Sequence, residues 1–213
     1  MALNIIQDFI PTSLPTRPQI KITPGFITIH NTDNTGKGAG AAAHNKYVRG
    51  ADAVKRKVSW HYTADDKAVY QHLPTGELGF HAGTPEGNRL SIGIEICMNS
   101  DMNVAAGYAR AAALVAHCVK QLGLSFPKCM KQHHDWSGKN CPSAIRAAKS
   151  MSWQQFLSLC QAEISKPAPK GLAAAPQVTI VEEAPDWSPK DEEAILRSID
   201  ESMADHGGDD PDS

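Results

Sequence analysis

Ser91-Ile92-Gly93-Ile94-Glu95-Ile96-Cys97 reads as a β-strand with two unlike faces. Side chains alternate along a strand, so Ile92, Ile94 and Ile96 share one face and Gly93, Glu95 and Cys97 the other. Glu95 is a carboxylate centred in an apolar strand, which is costly unless it is paired or opens into a polar site. A second strand, Phe26-Ile27-Thr28-Ile29-His30, ends on an imidazole and leads into a loop carrying Gly36 and Gly38. Taken alone, a histidine at a strand end is more often structural than functional.

Working outward, residues 1–24 are rich in proline and threonine and read as an irregular lead-in. Residues 39–57 are alanine-rich and suit a helix that Gly50 weakens towards its end. Residues 58–63 and 68–72 flank Ala64-Asp65-Asp66-Lys67, an Asp-rich turn, and predict a β-hairpin. Residues 103–122 predict the strongest helix. Tyr108, Ala112, Val115, Ala116 and Val119 make its apolar stripe and Gly123 stops it. One or two further helices fit 142–164, with Trp153, Phe156, Leu157 and Cys160 at helical spacing. Strands interleaved with helices give an α/β fold, a single domain with a central mixed sheet flanked by helices.

The 213 residues accommodate one domain of about 150 to 170 residues with an appendage. The domain is drawn at 1–165, a Pro/Ala-rich linker at 166–187 and an acidic tail at 188–213. Ser188-Pro189 and Gly207 are start and stop signals for a helix in that tail. Its stripe, Ile195, Ile199 and Met203, is too thin to build a core. The net charge of −2 hides an asymmetry: residues 166–213 carry 12 acidic and 4 basic side chains, the rest 11 and 17. That basic excess suits a polyanionic surface, but no arginine-rich run interleaved with aromatics supports nucleic acid. No apolar run reaches membrane-spanning length. Residues 1–18 lack a secretory signal, so synthesis in the cytoplasm is expected. Cys97, Cys118, Cys129, Cys141 and Cys160 are odd in number and unpaired in spacing, which argues against a disulfide framework.

The stretch His133-His134-Asp135-Trp136-Ser137-Gly138-Lys139-Asn140-Cys141-Pro142 places imidazoles and a thiol in one flexible loop. Nitrogen and sulfur ligands together suit zinc, a borderline-soft ion. Other histidines read blandly: His44, His72 and His117 fall in helix or strand without an evident partner, and His206 sits at a helix C-terminus where a cation is favoured.

Five motifs now stand in order: Phe26 through Thr32, Ser59-Trp60-His61-Tyr62, Gly79-Phe80-His81-Ala82-Gly83, Asn88 through Ile96, and His133 through Pro142. Together they resemble the zinc-dependent N-acetylmuramoyl-L-alanine amidases of the type 2 family, which includes phage lysozymes and peptidoglycan-recognition proteins. The block from Trp136 to Pro142 is most similar to phage and prophage endolysins of that family. The resemblance covers roughly residues 20–160.

The resemblance implies a catalytic Zn²⁺ held by His30, His133 and Cys141, with water in the fourth position. His133 is preferred to His134 because the family's second histidine stands three residues before the tryptophan of the Trp136-Ser137-Gly138 run. Glu95 matches the acidic residue that activates the water, and Lys139 a lysine that meets the oxyanion. His61, His81, Asn88 and Trp60 match positions lining the substrate groove. Where Trp60 stands, some members carry a catalytic tyrosine, so Glu95 is left with more of the proton transfer. The implied substrate is peptidoglycan, cut between N-acetylmuramic acid and L-alanine by an enzyme expected to be monomeric. Two rivals remain: a non-catalytic peptidoglycan-binding module, which typically lacks the zinc cysteine, and a cytoplasmic amidase that recycles muropeptides.

Overall fold

Two parallel strands occupy the middle of the sheet, β2 (Phe26–Asn31) and β5 (Ser91–Ile96). They are seen in a computed structural model that describes residues 3–167. Around them lie β1 (Ile5–Gln7), β3 (Tyr62–Ala64), β4 (Val69–Gln71) and β6 (Met130–Gln132), in the order β1-β4-β3-β5-β2-β6. The β3–β4 pair is antiparallel and every other pair parallel, so the sheet is mixed. Near-continuous burial along β2 and β5 is what a parallel strand covered on both faces requires.

The hairpin of β3 and β4 is shorter than the residue pattern suggests. Asp65 shapes its turn, Oδ1 accepting from the Lys67 and Ala68 amides at 2.7 Å each. The alanine-rich segment divides at Gly50 into α1 (Ala41–Val48) and α2 (Ala51–Lys55). A short α3 (Pro85–Leu90) starts from Thr84, whose side chain caps the Gly87 amide, and carries proline at its first turn. The long helix α4 (Val104–Leu122) is capped by Asn103 and ends on Gly123 at φ 64°, the left-handed stop expected there. Two short helices follow, α5 (His134–Ser137) and α6 (Ser143–Arg146). Then α7 (Trp153–Ile164) begins in a Ser152–Gln155 capping box.

The two sheet faces differ as the alternation requires. Ile27, Ile29, Ile92, Ile94 and Ile96 are fully buried against Tyr108, Ala112, Val115 and Val119 of α4, with Phe156 and Cys160 of α7 behind. Each such isoleucine contributes roughly 1.5–3 kcal/mol. Thr28, His30, Gly93 and Glu95 point the other way. One face is core; the opposite face carries chemistry.

The lead-in is more ordered than its composition implies. Its residues 5–7 form β1 on β4, and Arg17 clamps Glu77 at 2.8 Å. Three residues carry no readable periodicity, and pairing over more than 60 positions leaves no local signal. The elements α3, α5 and β6 were equally silent. The linker and tail from residue 168 onward, with the expected tail helix, lie outside the described residues. Among those described, no helix is long and apolar enough to cross a membrane.

Candidate metal centre and active site

The polar sheet face gathers its groups at the C-terminal ends of β2 and β5. His30 ends the apolar part of β2 and is register partner to Glu95 of β5. Next to β2 on its other side runs β6, pairing Ile29 with Gln132, so the chain leaves the sheet beside His30. The His133 amide still bonds to the Ile29 carbonyl at 3.3 Å. Then α5 turns one round and stops at Gly138, φ 78°, where a left-handed residue favours glycine. The His134 amide bonds to the Cys141 carbonyl at 3.0 Å, folding the loop back and delivering the thiol. Ligating atoms of His30, His133 and Cys141 all lie within 4.8 Å of one another. His30 Nδ1 is 3.7 Å from Cys141 Sγ and 3.9 Å from Glu95 Oε1. His134 turns aside, its ring 4.0 Å from Asp135.

Burial dominates the electrostatics. It holds His30 well below the ordinary imidazole range, helped by the neighbouring His81, His133 and Lys139 charges, and takes His133 down to about 4. It pushes the Cys141 thiol up to about 12, with Glu95 adding to the rise. Glu95 itself is raised to about 8 by burial and by Asp33, against the pull of Lys139. The protein by itself therefore favours neutral imidazoles, a thiol and a protonated carboxyl near neutral pH. Within the cluster of His30, Glu95, His133 and Cys141, the buried His133 Nδ1 and Glu95 Oε2 have no hydrogen-bond partner. Such orphans are costly unless something satisfies them. An N, N, S donor set with a bare nitrogen fits a borderline-soft divalent cation, whose charge would draw off the thiol proton and favour ionised Glu95. Lys139 is solvent-exposed, yet its charge reaches His30, Glu95, His133 and Cys141.

Residues 21–144, which span every one of these side chains, match the Amidase_2 family, described as N-acetylmuramoyl-L-alanine amidase. The chain belongs to this amidase family. Over 145 residues it is 47% identical to N-acetylmuramoyl-L-alanine amidase XlyA of Bacillus subtilis (strain 168), covering 67% of this chain and 48% of XlyA. The solved catalytic domain of XlyA is 42% identical, covers 74% of this chain and 99% of that one, and superposes with a TM-score of 0.67. A solved mutant endolysin from Bacillus subtilis gives the same identity and TM-score, over 76% of this chain and 99% of its own. The chain spans about half the length of the curated relatives it matches.

In this chain the four residues expected at the groove make contacts within the fold. Both nitrogens of His61 are taken by backbone, Nε2 by the Glu77 carbonyl at 2.8 Å and Nδ1 by the Gly93 amide at 3.0 Å. Asn88 Oδ1 accepts the amides of His81 and Ala82 at 2.9 and 2.8 Å. Trp60 packs with Ile10, Val48 and Leu73, and its indole N–H donates to Thr63 Oγ1 at 2.7 Å. His81 is buried against His30. These contacts brace the fold around the polar sheet face.

His44, His72 and His117 do have partners, contrary to the sequence reading. His72 lies between Asn45 Oδ1 at 3.1 Å and Thr63 Oγ1 at 2.8 Å. His44 Nδ1 meets the Gly40 carbonyl at 3.0 Å, and His117 bonds to Gln121. All five cysteines are buried and free. Sequence reasoning missed Asn31, whose carbonyl lies 4.0 Å from Cys141 Sγ and whose Oδ1 holds the Ala144 amide at 3.1 Å. Its only signal was adjacency to His30.

Proposed function

We propose that this chain hydrolyses the amide between the lactyl group of N-acetylmuramic acid and the L-alanine of the peptidoglycan stem, with Zn²⁺ held by His30, His133 and Cys141. The supporting observation is the convergence of those three ligating atoms, within 4.8 Å of one another, beside the unpartnered Oε2 of Glu95. Membership of the amidase family supports the bond that is cut. Likeness to an endolysin supports intact cell wall, rather than released fragments, as the working substrate.

Zn²⁺ held by His30, His133 and Cys141 would supply Lewis acidity for the scissile carbonyl and for an attacking water. Ionised Glu95 takes a proton from the attacking water and returns it to the departing amine nitrogen. A C–O bond forms, the C–N bond breaks, and the products are a lactyl carboxylate and a stem peptide with a free alanine amine. Lys139 offers positive charge to the developing oxyanion. The low-dielectric surroundings of Glu95, which raise its affinity for a proton, suit a group that must accept one and give it up in a single turnover.

Digestion of purified sacculi tests this reading. Free stem peptides with N-terminal alanine are expected. New reducing sugars, or cuts within the peptide, would replace the proposal with another hydrolase, and no soluble product at all would favour a binding module. Comparison with soluble muropeptides separates wall lysis from recycling.

A further inference from the structure

The ring of His81 is engaged at both nitrogens. Nε2 lies 3.3 Å from the Ser91 carbonyl oxygen, and Nδ1 lies 3.2 Å from His30 Nε2. A carbonyl oxygen only accepts, so His81 Nε2 carries a proton. In a neutral ring Nδ1 is then bare, and the proton between the two rings belongs to His30 Nε2. A neutral His30 protonated there has its lone pair on Nδ1, the nitrogen that faces Cys141 Sγ at 3.7 Å. A histidine ligates a metal only in its neutral form, and Nδ1 is the nitrogen of His30 on the side of Cys141, which leaves its proton on Nε2. With the other tautomer of His30, two bare nitrogens would face each other in a buried contact.

We propose that His81 is a positioning residue of the metal centre: by accepting from His30 Nε2 it sets the tautomer that makes Nδ1 the ligating nitrogen. The inference rests on the reading of His30, His133 and Cys141 as metal ligands. The surroundings hold the His81 ring in place. Asn88 ties down its backbone amide, the Ser91 carbonyl orients it, and Gly93 leaves it room, since a Cβ there would stand 2.7 Å from His81 Cγ. The two imidazoles meet edge-on, 85° between planes. The hydrogen bond behind a metal-binding histidine fixes its tautomer and orientation, and losing it typically costs about 10 to 100-fold in metal affinity.

Two measurements on the full chain test this. In metal-free wild type, long-range ¹H–¹⁵N correlation at neutral pH should show His30 protonated at Nε2; a proton on Nδ1 overturns the proposal. Zinc affinity by chelator competition should fall roughly 10 to 100-fold in His81→Leu. In His81→Asn, whose Oδ1 stands near the place of Nδ1 and still accepts, it should stay within a few-fold of wild type. Equal affinity in wild type and His81→Leu, or equal loss in both variants, overturns it. Should the leucine variant fail to fold, the wild-type tautomer decides alone. Wild type that binds no zinc removes the metal reading itself, and is recognised without any substitution.

Discussion

His30 and Glu95 are register partners on adjacent parallel strands, and Nδ1 of one lies 3.9 Å from Oε1 of the other. A proposed metal ligand and a proposed proton acceptor are thereby held together by the ladder of the sheet rather than by loops. Rigid elements hold such a geometry to the few tenths of an ångström that catalysis needs.

Cys141→Ser replaces a thiolate by a neutral hydroxyl in a buried N, N, S set. Zinc affinity is expected to fall beyond the roughly 10 to 100-fold typical of supporting hydrogen bonds. Chelation should abolish wild-type activity and zinc restore it. Activity in Cys141→Ser that survives exhaustive chelation would remove the metal assignment.

Glu95→Gln keeps the size of the side chain and removes its basicity. Zinc should remain bound while kcat falls by about 10² to 10⁴, the usual worth of general acid–base catalysis. Steady-state rates on sacculi, with metal content measured in parallel, check this. A loss below threefold would return Glu95 to a structural role.

Gly93→Ala pushes a methyl group into the His81 ring, whose Cγ, Nδ1 and Cδ2 would lie 2.7, 2.8 and 3.0 Å away. A ring braced on both nitrogens has little room to yield, so overpacking should cost about 1–3 kcal/mol. Zinc affinity should weaken along with it. Urea denaturation gives the first quantity and chelator competition the second.

Acid should destabilise the fold through its buried neutral histidines. Burial takes His61 down to about 4 and His72 to about 3, from an ordinary 6.5. Between those values and 6.5 the unfolded chain binds more protons than the folded one, so stability falls as pH falls through that window and is unaffected above it. Imidazole NMR signals of both residues are expected to stay in their neutral form down to about pH 5. Titration of either near 6.5 would contradict this setting.

A chain ending at Ser165 is expected to remain folded and to bind zinc, because the described core closes within α7, which ends at Ile164. With 12 acidic and 4 basic side chains removed from 166 onward, binding to anionic wall at low salt should be equal or stronger. Thermal melting and sacculus binding of the two lengths settle both points; unfolding of the shorter chain would move the boundary.

The alternation in Phe26–His30 and Ser91–Cys97 was enough to name two strands, and in the second the odd carboxylate opposite a face of isoleucines, because a period of two is written in consecutive residues. Gly123 likewise announced a helix end and Gly50 a weak point in a helix, since backbone freedom at glycine is a local property. Resemblance of five ordered motifs then nominated His30, His133, Cys141, Glu95 and Lys139. What local sequence could not hold was pairing across the chain. Only the register of β2 with β5 and β6 brings position 30 beside 95 and 133, and only the fold-back at Gly138 adds 141. The same non-local packing decided that both nitrogens of His61, the side-chain oxygen of Asn88 and the indole N–H of Trp60 are spent on backbone and neighbouring side chains, and that His81 stands behind His30. A hydrogen-bond partner is chosen by three-dimensional proximity, which residue type and spacing do not encode.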